Sequence, residues 1–277
     1  MELLPEKIAE LVHELRVLPF DNMGFNGVVG PWSLTNYTVW LMIAAIAMVI
    51  VFVVAARRVK LESSTGLTGM IELGVEFINN MATEVIGEKD GKKYVPLLAT
   101  IFFMILISNM FGLIPGAKSF AGSMGGTVAM ALIVWVVFVW VGFSKNGFIG
   151  YFKSLIPAGV REMPLAGRLL LGGFIFLLEF ISYFIVRPLT QSVRLFANMY
   201  AGHVILGVFS AFVALFIPIF MLDKLQFSLT GGIVGLIALV FLILMYAFEV
   251  FVAFIQAYVF TILTAVYIQS SVHASDH

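Results

Sequence analysis

Two apolar stretches, Leu169–Leu222 and Leu225–Gln269, lie back to back with only Asp223-Lys224 between them. No other feature constrains the fold as severely. A chain of 277 residues has too little polar surface to wrap both stretches in water. Three shorter uncharged runs precede them, Tyr37–Ala56, Tyr94–Ile114 and Thr127–Phe143. A helix needs roughly 20 apolar residues to cross the hydrocarbon core. The period-two alternation of a membrane β-barrel is absent, so the expected fold is an all-α polytopic membrane protein. Composition agrees: 61% of residues are apolar and 12% charged, the latter about half the share usual in soluble domains. That excludes a water-soluble enzyme and a disordered chain. The lack of cysteine excludes a disulfide scaffold, thiolate chemistry and iron–sulfur clusters. A formal net charge of zero leaves no electrostatic footprint for nucleic acid.

The division expected is an N-terminal extracytoplasmic segment, 1–36, and a single membrane domain, 37–277. Within the first, Ile8, Leu11, Val12 and Leu15 form one face of a short amphipathic helix. Its opening residues carry Glu2, Glu6, Glu10 and Glu14, unlike the basic start of a signal peptide. Spans are expected at about 37–56, 94–114, 127–143, 169–222 and 225–269, with a more polar amphipathic helix at about 66–86. The latter suits an interface, or a seat on the protein's own loops. If each long stretch crosses once, Arg57, Arg58, Lys60, Lys89, Lys92, Lys93, Lys145, Lys153, Arg161 and Arg168 share one side. Lys7, Arg16, Lys118 and Lys224 share the other. Cytoplasmic loops collect Lys and Arg, so the N-terminus is expected outside and the C-terminus inside. Splitting each long stretch gives seven crossings and the same termini.

The first three spans carry no charge, whereas the long stretches hold Glu179, Arg187, Arg194, His203 and Glu249. A central Arg costs at least about 2.5–3.5 kcal/mol on insertion scales, which makes each such ion a functional candidate. At helical spacing Arg187, Gln191, Arg194 and Asn198 form one stripe, and His203 falls on the opposite face from Arg194. Glu249, Ala253, Gln256, Phe260 and Tyr267 form a second stripe. Two acids and two arginines can also neutralise one another as structural ion pairs. Against that, Arg194 has no acid within a turn on either side, and Glu179 is fifteen residues away. For Asn109, Gln191, Asn198 and Gln256, interhelical hydrogen bonding is the plainer role. Gly172-Gly173, Gly231-Gly232 and Gly235 suit close helix packing. His273 and His277 sit four apart in the tail, a weak pattern for a metal, and no metal or cofactor is expected.

The run Arg194-Leu195-Phe196-Ala197-Asn198-Met199-Tyr200-Ala201-Gly202-His203 resembles the signature of the subunit a family of F-type ATP synthases. Glu249, with Gln256-Ala257-Tyr258-Val259-Phe260-Thr261-Ile262-Leu263, resembles a second family motif, and Asn109-Met110-Phe111-Gly112-Leu113-Ile114-Pro115 a third. The resemblance runs from the first span to Gln269. It implies five crossings plus one interfacial helix, the last two crossings long, tilted and paired as a hairpin against a rotating ring of c subunits. It implies that Arg194 faces the ring carboxylate with Gln256 beside it, and that Asn198 is a half-channel residue. His203 and Glu249 would line the outer half-channel, a pair the family uses in either order. Glu179 would be the acid of the inner half-channel, although one extra residue separates it from Arg187-Pro188. Gly112 stands where some members carry an acid. Gln191, Asn109, Tyr267 and Thr190 are expected as supporting polar groups. The resemblance also implies b-type peripheral stalk subunits, the F1 sector and the lipid membrane as partners. The location it suggests is the bacterial plasma membrane, with an organelle energy-coupling membrane as the alternative. Two other classes fit less well. A self-contained secondary transporter usually carries an inverted repeat, and none is visible. An intramembrane enzyme needs a nucleophile–base pair or metal motif within a span, and none is present.

Overall fold

The computed structural model describes residues 36–58, 66–114, 117–154, 165–222 and 229–272. Among them every regular element is helical. We label α1 Asn36–Arg58, α2 Leu67–Ile86, α3 Glu88–Gly112, α4 Met124–Ser154, α5 Leu165–Ile181, α6 Arg187–Leu222 and α7 Leu229–Val272. A π turn, Ser182–Val186, runs from α5 into α6, and a 3-10 turn, Phe120–Gly122, precedes α4. The N-terminal amphipathic helix, Asp223-Lys224 and the two tail histidines lie outside the described residues.

Five stretches are long and apolar enough to cross a membrane: Tyr37–Arg57, Glu88–Gly112, Met124–Phe148, Leu171–Ala214 and Gly232–Val272. Each of the two long apolar stretches is one continuous helical rod, which selects five crossings over seven. At 1.5 Å per residue the 44 residues of Leu171–Ala214 span about 66 Å. The hydrocarbon core is only about 30 Å thick, so this rod and its partner cross at a steep tilt.

Helix boundaries follow local chemistry more than hydropathy. Gly87 alone joins α2 to α3, at φ 107, a conformation that favours glycine. Glu88 and Asp90 occupy the first turn of α3, where negative charge suits the helix dipole. The helix therefore starts six residues before the apolar run at Tyr94. α4 likewise continues past Phe143 to Ser154, kinked at Gly147 with φ 68 and ψ 166. The kink folds the last turns back, so that the Tyr151 ring fills the space where a Cβ on Gly142 would go.

α6 and α7 form an antiparallel hairpin. Phe209 stacks on Phe241 at 5.6 Å, Asn198 meets Gln256, and Arg187 meets Ser270, so steps along one helix are matched by opposite steps along the other. α3 and α4 pack against this pair through Phe102, Ile105, Val134, Phe138, Leu195 and Phe260, all fully buried. α1 stays peripheral, with 11% of its span buried against 50% for α3, which leaves most of its surface to lipid. α2 is seated on the protein's own helices. Ile71, Ile78, Met81 and Ala82 are buried, and Phe77 lies 5.6 Å from Tyr258 of α7, while Met70 and Leu73 remain exposed. Lys145 of α4 and Asp90 of α3 pair at 2.9 Å. This ion pair is half exposed, so solvent screens it.

Candidate functional site

Arg194 is exposed on α6 and makes no ion pair with Glu179 or Glu249. The stripe expected for α6 proves to be a border. Gln191 is buried, Arg187 and Asn198 are half-buried, and Arg194 looks outward. Helical spacing put the four on one line, and the hairpin contact runs along that line, so neighbours on it fall to either side. Asn198 Nδ2 donates to Gln256 Oε1 at 3.2 Å across the hairpin. Gln256 is buried, and its own Nε2 has no partner among the described residues. An open cation thus stands one helical turn from an amide pair with a donor to spare.

The other acid of the hairpin is nearer to His203 than 46 positions of sequence suggest. The Glu249 carboxylate is pressed against Gly202, where any Cβ would collide with it. Its side chain is buried. The His203 ring turns the other way, toward α3 and the 3-10 turn. Its Nε2 lies 3.2 Å from where a Gly112 Cβ would stand, and its Cδ2 4.0 Å from the same point on Gly122. The Tyr37 ring lies 3.3 Å from that Gly122 position, and Lys118 Nζ is 5.5 Å from the Tyr37 ring centre. Glu249 and His203 therefore flank one residue of α6 at one depth.

Beside His203 lies a polar cluster that the sequence pointed to only through Asn109. Ser119 Oγ donates to Asn109 Oδ1 at 3.0 Å and lies 3.3 Å from Ser108 Oγ. The Phe120 N–H donates to Ser108 Oγ, and the Ala121 N–H to Ser119 Oγ. All three side chains are buried. Ser119 is the N-cap of the 3-10 turn, so the cluster also ties that turn to α3. Two adjacent polar residues, Ser108-Asn109, at the end of an apolar span were the available signal.

At the far end of the hairpin the arrangement is closed. The Arg187 guanidinium stacks 3.5 Å from the Tyr183 ring centre and 4.8 Å from that of Tyr267, and its Nη1 donates to Ser270 Oγ at 3.2 Å. Tyr267 also packs 5.6 Å from Phe138. Cation–π contacts supply what an acid would otherwise supply. Tyr183 and Ser270 were invisible to sequence reasoning, because a stacking partner carries no charge and one of them lies on another helix. Glu179 is half-buried on α5, above the π turn. Thr190 turns its hydroxyl back onto the Val186 and Arg187 carbonyls at 2.7 and 3.1 Å, and so serves its own helix. The Gln191 Nε2 has no partner among the described residues. Close approaches between helices occur at Gly74, Gly91, Gly112 and Gly202, whereas Gly173 is exposed with open space at its Cβ position, contrary to the packing role expected of it. No group of three potential metal-ligating side chains occurs among the described residues.

The family model described as ATP synthase A chain matches residues 38–269. The ATP synthase subunit a of Rhodococcus erythropolis is 36% identical over 253 residues, covering 90% of this chain and 86% of that protein. The protein of the same name from Rhodobacter capsulatus is 37% identical over 239 residues, covering 86% of this chain and 92% of its own length. That from Rhodopseudomonas palustris is 34% identical over 265 residues, covering 96% and 98%. A match of that reach, over every helix that builds the site, means that the chain belongs to the ATP synthase A chain family.

Proposed function

We propose that this proton-translocating membrane subunit of an F-type ATP synthase works as a stator with two aqueous half-paths, one opening to each side and meeting a neighbouring c-subunit ring at different positions. The observation that carries this is Arg194: a cation in a membrane-crossing rod, exposed, with no ion pair among the described residues. Such a charge is stabilised by a carboxylate brought from elsewhere. On the first path a proton passes His203 and Glu249 and neutralises a ring carboxylate, which can then face lipid. After most of a rotation the carboxyl reaches the second path and releases its proton toward Glu179. Arg194 favours the ionised form of the arriving group and repels a proton moving directly between paths. Asn198 and Gln256 hold the rim beside it. Gln191, Asn109 and Tyr267 support the walls. The membrane potential contributes about 2.3 kcal/mol per charge per 100 mV, so each ATP draws on several protons, which a rotating multi-site ring provides.

The orientation that follows from the Lys and Arg distribution puts the N-terminus outside and the C-terminus in the cytoplasm of a bacterium, with the His203 end facing out. Peripheral stalk subunits of b type hold the chain against the ring and connect it to the F1 sector. The decisive experiment compares Arg194→Ala with the parent in reconstituted whole complexes. Coupled ATP synthesis should vanish and passive proton leak should rise. Synthesis persisting in an assembled Arg194→Ala complex would remove Arg194 from the path.

A further inference from the structure

The rod from α5 through α6 has one irregular turn, Ser182–Val186. Its closing hydrogen bond runs from the Arg187 N–H to the Ser182 carbonyl, five residues back instead of four. One more residue than usual is therefore taken up in a single turn. Pro188 supplies a local cause, since it has no N–H to return and its ring crowds the carbonyl four residues earlier.

The turn changes where Glu179 points. In an unbroken α-helix the eight residues from Glu179 to Arg187 sweep about 800°, leaving Glu179 about 80° off the line of Arg187. With one residue absorbed the sweep is about 700°, and the two fall within about 20° of each other. Burial follows the corrected line. Glu179, Tyr183 and Arg187 are half-buried and Gln191 is buried. Leu178, Ile181, Ile185, Leu189 and Val193 stay exposed beside them. Four-residue steps from 179 to 191 would rotate by about 120° in a regular helix and carry one end away from the bundle. The stack of Arg187 on Tyr183 fixes the phase on the α6 side of the turn.

We propose that the wide turn Ser182–Val186 is a register device, which positions Glu179 in line with Arg187 on the edge of the rod from which Arg194 emerges. The acid of the second path and the cation that separates the paths are then presented to the same passing ring. The proposal rests on the reading of Glu179 given above.

The test uses intact complexes in membrane vesicles. Four variants are compared: deletion of Ile185, deletion of Val186, insertion of one alanine after Ile185, and Glu179→Gln. Both deleted positions are exposed. Either deletion should leave a regular α-helix with Glu179 in its original phase, and proton pumping should be retained. The insertion should turn Glu179 by about a quarter turn or more, with loss of pumping. A cryo-EM map of the assembled deletion complex reads the register directly, apart from activity. Glu179 found rotated away from Arg187 in that map overturns the proposal. So does loss of pumping in both deletions to the level of the insertion, or failure of both to assemble. Normal pumping by Glu179→Gln would sink the role of the acid, while the map still decides the register.

Discussion

Arg187 and Arg194 stand seven residues apart on one helix, yet their surroundings have little in common. Arg187 is packed between two tyrosine rings and hydrogen-bonded to a serine of α7. Arg194 is exposed, and the nearest hydrogen-bonded pair on its stripe, Asn198 with Gln256, does not involve it. The difference shows two ways of carrying a cation across a bilayer. One surrounds it with π faces and hydroxyls of its own chain and makes it inert. The other leaves it exposed, with no ion pair to Glu179 or Glu249. The closed region extends to Tyr151, where burial first, and then the neighbouring Tyr183, push the hydroxyl up to about 12. That group stays a neutral packing element throughout the physiological range.

The comparison is broken or sharpened first by removing each arginine. Arg194→Ala should give an assembled complex of normal thermal stability that no longer couples proton flow to synthesis. Arg187→Ala should behave oppositely. It forfeits two stacking contacts, about 0.5–2 kcal/mol each, and a charged hydrogen bond. The midpoint of thermal unfolding should fall, and residual pumping should track the amount of complex that assembles. Equal stability losses in the two variants would erase the distinction between open and closed regions.

Next comes Gly202→Ala. The added methyl occupies the position of the Glu249 carboxylate, and cores rarely absorb such a clash without a shift. Pumping should drop sharply while assembly is kept, and truncating the acid as well, in Gly202→Ala with Glu249→Ala, should not restore it. Normal pumping by the single variant would mean that the carboxylate has room elsewhere and its seat is incidental.

A smaller effect is expected from exchanging His203→Glu with Glu249→His. The two flank Gly202 at one depth, and a relay needs one group titrating near neutrality beside one carboxylate. Each single change leaves two like groups, which oppose each other's charging. Vesicle pumping of the double exchange should exceed that of both singles. A double no better than the worse single would separate the two residues functionally. Smallest is Ser119→Ala, which lies in closed packing. Losing its bond to Asn109 and its cap on the 3-10 turn should cost about 1 kcal/mol of stability, read by thermal unfolding, with pumping little changed. A loss of pumping comparable to Gly202→Ala would move the Ser108, Asn109 and Ser119 cluster into the proton path.

Much of the scaffold was legible because a bilayer imposes a coarse rule on composition. The apolar runs located the five spans, and their charges singled out the hairpin as the candidate working part. The rule fails where polar residues continue a helix beyond the membrane. Glu88–Lys93 and Ser144–Ser154 are helical for reasons of capping, a kink and aromatic packing. The stripe on α6 was legible as a line, but which of its members face inward depends on where α7 lies, and no periodicity within α6 contains that. The clamp on Arg187 needed Ser270, 83 residues away. The wide turn left two traces, Pro188 and the extra residue between Glu179 and Arg187, because hydrogen-bond phase has no signature in hydropathy.

Gly202 also bears on mutational history. The space it leaves beside position 249 is filled by a carboxylate in this chain. A working double exchange would let lineages trade His and Glu between the two helices in two substitutions. Along that route the residue that has to stay put is the one without a side chain. A search for distant relatives keyed to His at 203 and Glu at 249 would miss the reverse order. One keyed to the gap, with an ionisable neighbour on either helix, would find both.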